Sequence, residues 1–301
     1  MSINLAWLYA ITKYGYPPSL NNMYNAIDDA ARLGFKAIEL EVYREGNLIE
    51  VEKNKKQLKE HIESKRLRTV NLAAIFPELL SAEDNVRDRG LQFFERTSEL
   101  AAFFEAPMTQ TDTFTPPVEY IGRRPYSTTV AFGERYRVKI PPGFSWNAYW
   151  KRIVEVLRRC SRIAGQYDLK LAVEPRVGEN VSNSDLMLRL IEEVGEDNFG
   201  AVLDAGHLHA QKELIPLSIE KLNRKIVYVH ASDNDGRDNF HLAPGKGTID
   251  WDAVFEGLKK YEFSGYIAID VGGQDIKDRL DQEVLEGRKF VEKMGRKHSL
   301  W

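Results

Sequence analysis

Short runs of β-branched and apolar residues alternate with longer amphipathic runs from one end of this chain to the other. The short runs, at 3–8, 37–42, 68–75, 107–111, 170–174, 201–204, 226–230 and 266–271, are expected as strands. The longer ones, at 20–33, 51–64, 82–104, 147–164, 184–194, 215–222, 250–260 and 275–294, are expected as helices. In the fourth of these, Tyr149, Ile153, Val156 and Leu157 fall on one face at the helical period. Start signals agree: Asp250 before Trp251, and Ser184 after Val181-Ser182-Asn183, each offer an oxygen to the open N–H groups of a first turn. Eight strands and eight helices in strict alternation are the pattern of a parallel sheet with helical crossovers. No Gly-, Ser- or Pro-rich linker divides them, which favours a closed (β/α)8 TIM barrel over an open doubly wound sheet. The expectation is an α/β fold with residues 1–301 as a single domain.

One connection breaks the rhythm. Roughly thirty residues separate Thr111 from the helix near Asn147, against the ~2–6 usual for a βα loop. The insertion, at about 112–143, carries Pro116-Pro117 near its start and Pro141-Pro142 at its end. It sets Arg123, Arg124, Arg135, Arg137 and Lys139 among Tyr120, Tyr126, Phe132 and Tyr136. A loop after a barrel strand emerges on the C-terminal face, where barrel enzymes place their chemistry. It is therefore expected as a lid or subunit arm, or as a hairpin packed on the rim.

Composition narrows the class. Of 301 residues 43% are hydrophobic and 29% charged, which is ordinary for a packed globular chain and excludes disordered and collagen-like classes. The 42 Lys+Arg against 45 Asp+Glu leave a net charge of −3, so no basic excess favours a nucleic-acid partner. A lone Cys160 rules out an internal disulfide and a cysteine zinc cluster. The opening MSINLAWLYAITKYGYPP lacks the basic lead-in and long apolar run of a signal peptide. No apolar stretch approaches the ~20 residues that span a bilayer. The expectation is a cytoplasmic protein with no membrane partner.

The chemistry lies in a placement repeated on four strands. LAVEP carries Glu174; AVLDAGH carries Asp204, with His207 three residues on; IVYVHASD carries His230 and Asp233, with Asp235 two residues on; YIAIDVGG carries Asp270. The C-terminal ends of barrel strands surround one mouth, so Glu174, Asp204, His230 and Asp270 are expected to converge there. Three acids without a counter-charge would repel and rise in pKa, and a divalent cation is the simplest remedy. Carboxylates with an imidazole suit one Mn2+, Mg2+, Co2+ or Zn2+ ion.

These stretches, with HASDNDGRDNFHLAPGKGTIDW, resemble the sugar-phosphate isomerase/epimerase superfamily of xylose-isomerase-like barrels. That group includes ketose 3-epimerases, inosose isomerases and dehydratases, and type IV apurinic endonucleases. The resemblance runs from AIELEV to the last strand. It implies that Glu174, Asp204, His230 and Asp270 bind the metal, and that Glu174 and Asp270 double as acid–base catalysts. Asp270 stands where the ketose epimerases carry Glu, one methylene longer. Spacing within the family pattern also implies Glu179 and His207 as substrate-facing residues, with Arg176 beside the former. His241 and Asn239 keep part of the endonuclease branch's third-metal set. The third and fourth strands, RTVNLAAIFP and PMTQTD, lack that branch's histidines, so a three-zinc nuclease is disfavoured. Smaller candidates are Glu39 and Glu41, which alternate with Ile38 and Leu40 and can both point inward. Trp7 and Tyr9 are placed to stack on a sugar, and Lys246 lies in a Pro-Gly-Lys-Gly turn.

The activity this implies is a metal-dependent isomerase or epimerase of a small keto sugar or polyol. Such an enzyme takes a proton beside a carbonyl polarised by the cation and passes through an enediolate. Glu174 is the first choice of base, and Asp270 or Glu179 would return the proton. A dehydratase of the inosose or dehydroshikimate kind follows if a β-hydroxyl leaves instead. A non-catalytic sugar-binding barrel is the third reading. By analogy with the family, residues 114–142 are expected at a homo-oligomer interface.

Overall fold

The computed structural model describes residues 2–17, 19–123, 125 and 136–300. The order is β1 (Ser2–Leu5), α1 (Leu8–Tyr14), α2 (Leu20–Arg32), β2 (Ala37–Tyr43), α3 (Arg44–Ser64), β3 (Arg68–Ile75), α4 (Asp84–Phe103) and β4 (Met108–Thr111). There follow β5 (Glu119–Tyr120), β6 (Val138–Lys139), α5 (Trp146–Gln166), β7 (Lys170–Val173), α6 (Ser184–Val194) and β8 (Phe199–Asp204). The last are α7 (Ala205–Ala210), α8 (Ile215–Leu222), β9 (Ile226–Ala231), α9 (Trp251–Lys260), β10 (Tyr266–Ile269) and α10 (Leu280–Lys297). Among the described residues, eight parallel strands close into a barrel in the order β1-β10-β9-β8-β7-β4-β3-β2.

Helix faces follow the apolar period: Tyr149, Ile153, Val156 and Leu157 of α5 are all buried. Asp250 caps α9 by accepting from Ala253 N. The cap of α6, however, is Asn183, whose side chain accepts from Leu186 N, and not Ser184. Ser184 Oγ instead donates to Glu213. The first strand stops at Leu5, earlier than its apolar run, because Ala6 and Trp7 already accept the bonds that open α1. A continuous apolar run has no period to mark where strand gives way to helix. The helix expected from 51 begins at Arg44. The expected last helix splits into a 3-10 segment (Gln274–Arg279) and α10.

Inside the barrel the period of two sets the layers. Ala6, Met108, Ala172, Val202, Tyr228 and Ala268 form an apolar cluster separate from the main core under the helices. Every residue two positions further along β4, β7, β8, β9 and β10 therefore also faces inward, toward the mouth. The long β4–α5 connection carries the two-stranded antiparallel β5–β6 ladder, pairing Glu119 with Lys139 and Tyr120 with Val138. Arg124, Tyr126, Phe132 and Arg135 of that connection lie outside the described residues. Among the described residues no helix is long and apolar enough to cross a membrane.

Candidate functional site

Two residues above the apolar layer every inward position on these five strands is polar: Gln110, Glu174, Asp204, His230 and Asp270. All five are buried. The β8–β9 register pairs Asp204 directly with His230, and β9–β10 sets His230 beside Ala268. His230 Nδ1 stands 3.4 Å from Glu174 Oε1, 3.8 Å from Asp204 Oδ2 and 3.9 Å from Asp270 Oδ2. Its Nε2 lies 3.3 Å from Glu39 Oε2. Ligand-type atoms of Asp204, His230 and Asp270 fall within 4.8 Å of one another, as do those of Glu174, Asp204 and His207.

Hydrogen bonds fix this ring from behind. Glu39 accepts from Trp7 N at 3.2 Å and Asn71 Nδ2 at 3.0 Å. Asn71 also donates to Gln110 Oε1 at 2.9 Å, and Gln110 Nε2 donates to Glu174 Oε2 at 3.2 Å. Asp204 Oδ1 caps α7, accepting from His207 N at 2.7 Å, while its buried Oδ2 has no hydrogen-bond partner. Gly206 lets α7 start so close: a Cβ there would lie 2.2 Å from Ser232 Oγ. His207 Nδ1 faces two donors, Val177 N at 3.1 Å and Asn239 Nδ2 at 2.9 Å, so Nδ1 is the acceptor and the ring proton belongs on Nε2. His241 Nδ1 lies 2.9 Å from Asp270 Oδ2.

Electrostatics follow from burial and proximity. Burial, reinforced by Glu174 and Asp270, drives the Asp204 carboxyl well above its usual range. Burial alone would depress His230, but Glu174 and Glu39 outweigh it and hold the imidazole well above its ordinary value. Burial likewise raises Glu174, yet the His230 charge prevails and holds it well below. Burial keeps His207 well below its ordinary value and therefore neutral. Positive charge reaches this nest from the raised His230 imidazole and from Arg176, whose Nε lies 3.9 Å from Glu174 Oε2, in a donor set of carboxylates and imidazoles with one orphaned acid oxygen. That set fits a divalent cation, because such ligands bind deprotonated and their mutual repulsion is what the ion relieves.

A second polar layer sits one step nearer the mouth: Glu41, Asp112 and Arg176, each two positions beyond Glu39, Gln110 and Glu174. Arg176 Nη1 reaches Asp112 Oδ2 at 2.7 Å and Glu179 Oε1 at 3.3 Å. Glu179 Oε2 accepts from Thr113 N at 3.0 Å. Burial first, and the Asp112 charge second, push both Glu41 and Glu179 up to about 8.

Two adjoining spaces result. Trp7, Glu39, Glu174, Arg176, His207, His230, His241 and Asp270 line an inner chamber of about 70 Å3, with Asp204 buried beside it. Glu179 lines instead a wider outer cavity of about 910 Å3. Tyr9 lies away from both: it is buried and its hydroxyl donates to Asp281 at 2.6 Å, so it does not stack on a ligand. Lys246 pairs with Glu283 and Glu286. Asp233 is a loop anchor, accepting from Gly245 N, Ile249 N and Trp251 Nε1. His61 and His298 pair with Asp28 and Asp252 on the outside of the barrel. Cys160 is buried, and burial raises its thiol pKa. Asn71, Gln110 and Asp112 are not among the residues the sequence pattern singles out, because β3 and β4 carry no histidine. Their signal was present: polar residues at inward positions of otherwise apolar strands.

A family model described as a xylose isomerase-like TIM barrel matches residues 27–294. The chain belongs to the xylose isomerase-like TIM barrel family. Among curated relatives, an inosose isomerase of Bacillus subtilis is 32% identical over 148 residues, covering 46% of this chain and 53% of that protein. An inosose dehydratase of Glaesserella parasuis is 22% identical over 163 residues, covering 47% and 54%. The matched segment thus spans about half the length of these relatives. Among solved structures, D-psicose 3-epimerase from Clostridium cellulolyticum, with D-tagatose, superposes with a TM-score of 0.72 at 15% identity, covering 98% and 99% of the two chains. The IolI protein with a bound zinc atom gives 0.72 at 19% identity, covering 98% and 99%. At these identities the likeness is one of fold, and this xylose isomerase-like barrel shares it along nearly its whole length.

Proposed function

We propose that this barrel is a metal-dependent isomerase or epimerase of a keto sugar or related polyol. The observation that carries the reading is the buried ring of Glu174, Asp204, Asp270 and His230, with Asp204 Oδ2 left without a partner. The zinc in the IolI structure and the isomerases, dehydratases and epimerases among the relatives support it. Glu174, Asp204, His230 and Asp270 would hold one divalent ion, with the protonated Nε2 of His207 close by as a hydrogen-bond donor to substrate. Such an ion supplies Lewis acidity to a substrate carbonyl and lowers the pKa of the neighbouring C–H.

The remaining work belongs to the chain. Glu174, steadied through Oε2 by Gln110, takes the proton. Asp270 shares the inner chamber and returns it from another side. Glu179 holds a proton near neutrality at the edge of the outer cavity and is the second donor. His207, Glu39, His241, Trp7 and Arg176 bind and orient the hydroxyls, and the chamber's burial excludes bulk water. Loss of a β-hydroxyl after the same first step would make the enzyme a dehydratase, and a conjugated product absorbing in the ultraviolet marks that outcome. Metal analysis of the purified protein, with deuterium wash-out from C–H-labelled keto sugars and inososes, tests the reading. Bound divalent metal lost in Asp204→Ala and His230→Ala, together with wash-out abolished by Glu174→Gln, is the expected result. Full metal content in both alanine variants would refute it.

A further inference from the structure

The inner chamber and the outer cavity differ in size, at about 70 and 910 Å3, and in character. They adjoin, for Ile11, Glu41, Ile75, Asp112 and Arg176 line both. The outer volume lies at the upper end of the ~300–1,000 Å3 of sites that enclose drug-sized ligands, far more than one sugar ring requires. Among the described residues its walls carry five aromatic rings: Tyr16, Tyr43, Phe114, Phe144 and Tyr149. Tyr16 and Tyr43 pack with centroids 4.9 Å apart, and Phe144 and Tyr149 at 5.8 Å, so two preformed aromatic pairs from different parts of the chain border one space.

Among the described residues the lining charges are nearly balanced. Glu41, Glu78, Asp112 and Glu179 face Arg44, Arg152 and Arg176, and the signs nearly cancel. Arg44 lies 4.7 Å over the Tyr43 ring and Arg152 5.8 Å over that of Tyr149, which extends the stacking surfaces. At the neck between the spaces, Glu41 Oε1 and Asp112 Oδ1 are buried acceptors with no hydrogen-bond partner. Hydroxyls of a sugar passing through the neck would satisfy both.

We infer that the outer cavity receives a neutral, flat apolar group carried by the substrate, so that the keto sugar is one end of a conjugate such as an aryl glycoside. The inference rests on the chemistry proposed for the inner chamber but assigns a separate space. Its test compares phenyl and methyl 3-keto-β-D-glucopyranoside on the metal-loaded protein, by calorimetric binding and by deuterium wash-out. The variant is Ala148→Trp, since Ala148 is exposed, lines only the outer cavity and can take an indole without disturbing the core. The phenyl compound is expected to bind about tenfold or more tighter than the methyl one, as burial of one apolar ring supports. Ala148→Trp is expected to erase that advantage while leaving metal content and methyl-compound binding unchanged. Equal affinities, no binding of the phenyl compound, or an advantage that survives Ala148→Trp each overturn the inference. A phenyl advantage that Ala148→Trp removes, without wash-out from either compound, upholds the outer site and sinks the chemistry of the inner one.

Discussion

The two oxygens of Asp204 do different things: Oδ1 caps α7 through His207 N, and Oδ2 has no partner in the buried ring. Asn can cap as well as Asp but carries no charge. Asp204→Asn is therefore expected to melt close to the parent protein in chelator while its bound metal falls, as read by thermal unfolding beside elemental analysis. Asp204→Ala loses the cap too, about 0.5–2 kcal/mol more. Glu174→Gln keeps the acceptor facing Gln110 but removes the base, and wash-out is expected to drop by roughly 10^2–10^4-fold. Glu41 and Glu179 give a pH signature. With pKa values raised to about 8, the folded chain binds protons that the unfolded chain has released above about 4.5. Their contribution to stability is thus full below the unfolded value and falls as pH rises toward 8. Urea midpoints measured across that window should decline, and the slope should flatten in Glu41→Gln and Glu179→Gln. An unchanged slope in both variants would contradict the assigned environments.

Elements place these residues through the strand period. Because Met108, Ala172, Val202, Tyr228 and Ala268 fill the barrel centre, the next inward positions must be Gln110, Glu174, Asp204, His230 and Asp270. A one-residue slip in any strand would turn its ligand toward the helices. Boundaries were less legible than strands. The apolar stretch 3–8 reads as one strand, yet it divides into β1 and the start of α1. Two adjacent cap-type residues, Asn183 and Ser184, offered the same local signal, and Asn183 took the cap while Ser184 bonded Glu213. Asn183→Ala is accordingly expected to lower the unfolding free energy by about 0.5–2 kcal/mol, measured in urea. Loop anchoring also hid in plain residues. Asp233 follows His230 by three positions, and four donors, among them Trp251 Nε1 at 2.9 Å, tie it to the Gly-rich loop before α9.

At the scale of the molecule, the acid ring is a repulsive centre in a closed barrel, so an ion bound there links metal to global stability. A divalent metal at 100 times its dissociation constant stabilises the fold by about 2.7 kcal/mol. Chelation of the loaded protein should lower its melting temperature, and the shift should vanish in His230→Ala. The alternation of strands and helices, the closed barrel class, and the acids and histidine at four strand ends were legible in the residue pattern alone, because each rests on local periodicity or position within a strand. Tertiary structure decided what periodicity does not encode. It made Asn71 and Gln110 into supports for Glu39 and Glu174, and set Glu41, Asp112 and Arg176 as the neck. It also moved Glu179 out of the inner chamber and opened the wide aromatic cavity beyond. Those outcomes depend on shear, strand neighbours and loop packing between residues far apart in the chain, and only the closed barrel brings such residues face to face.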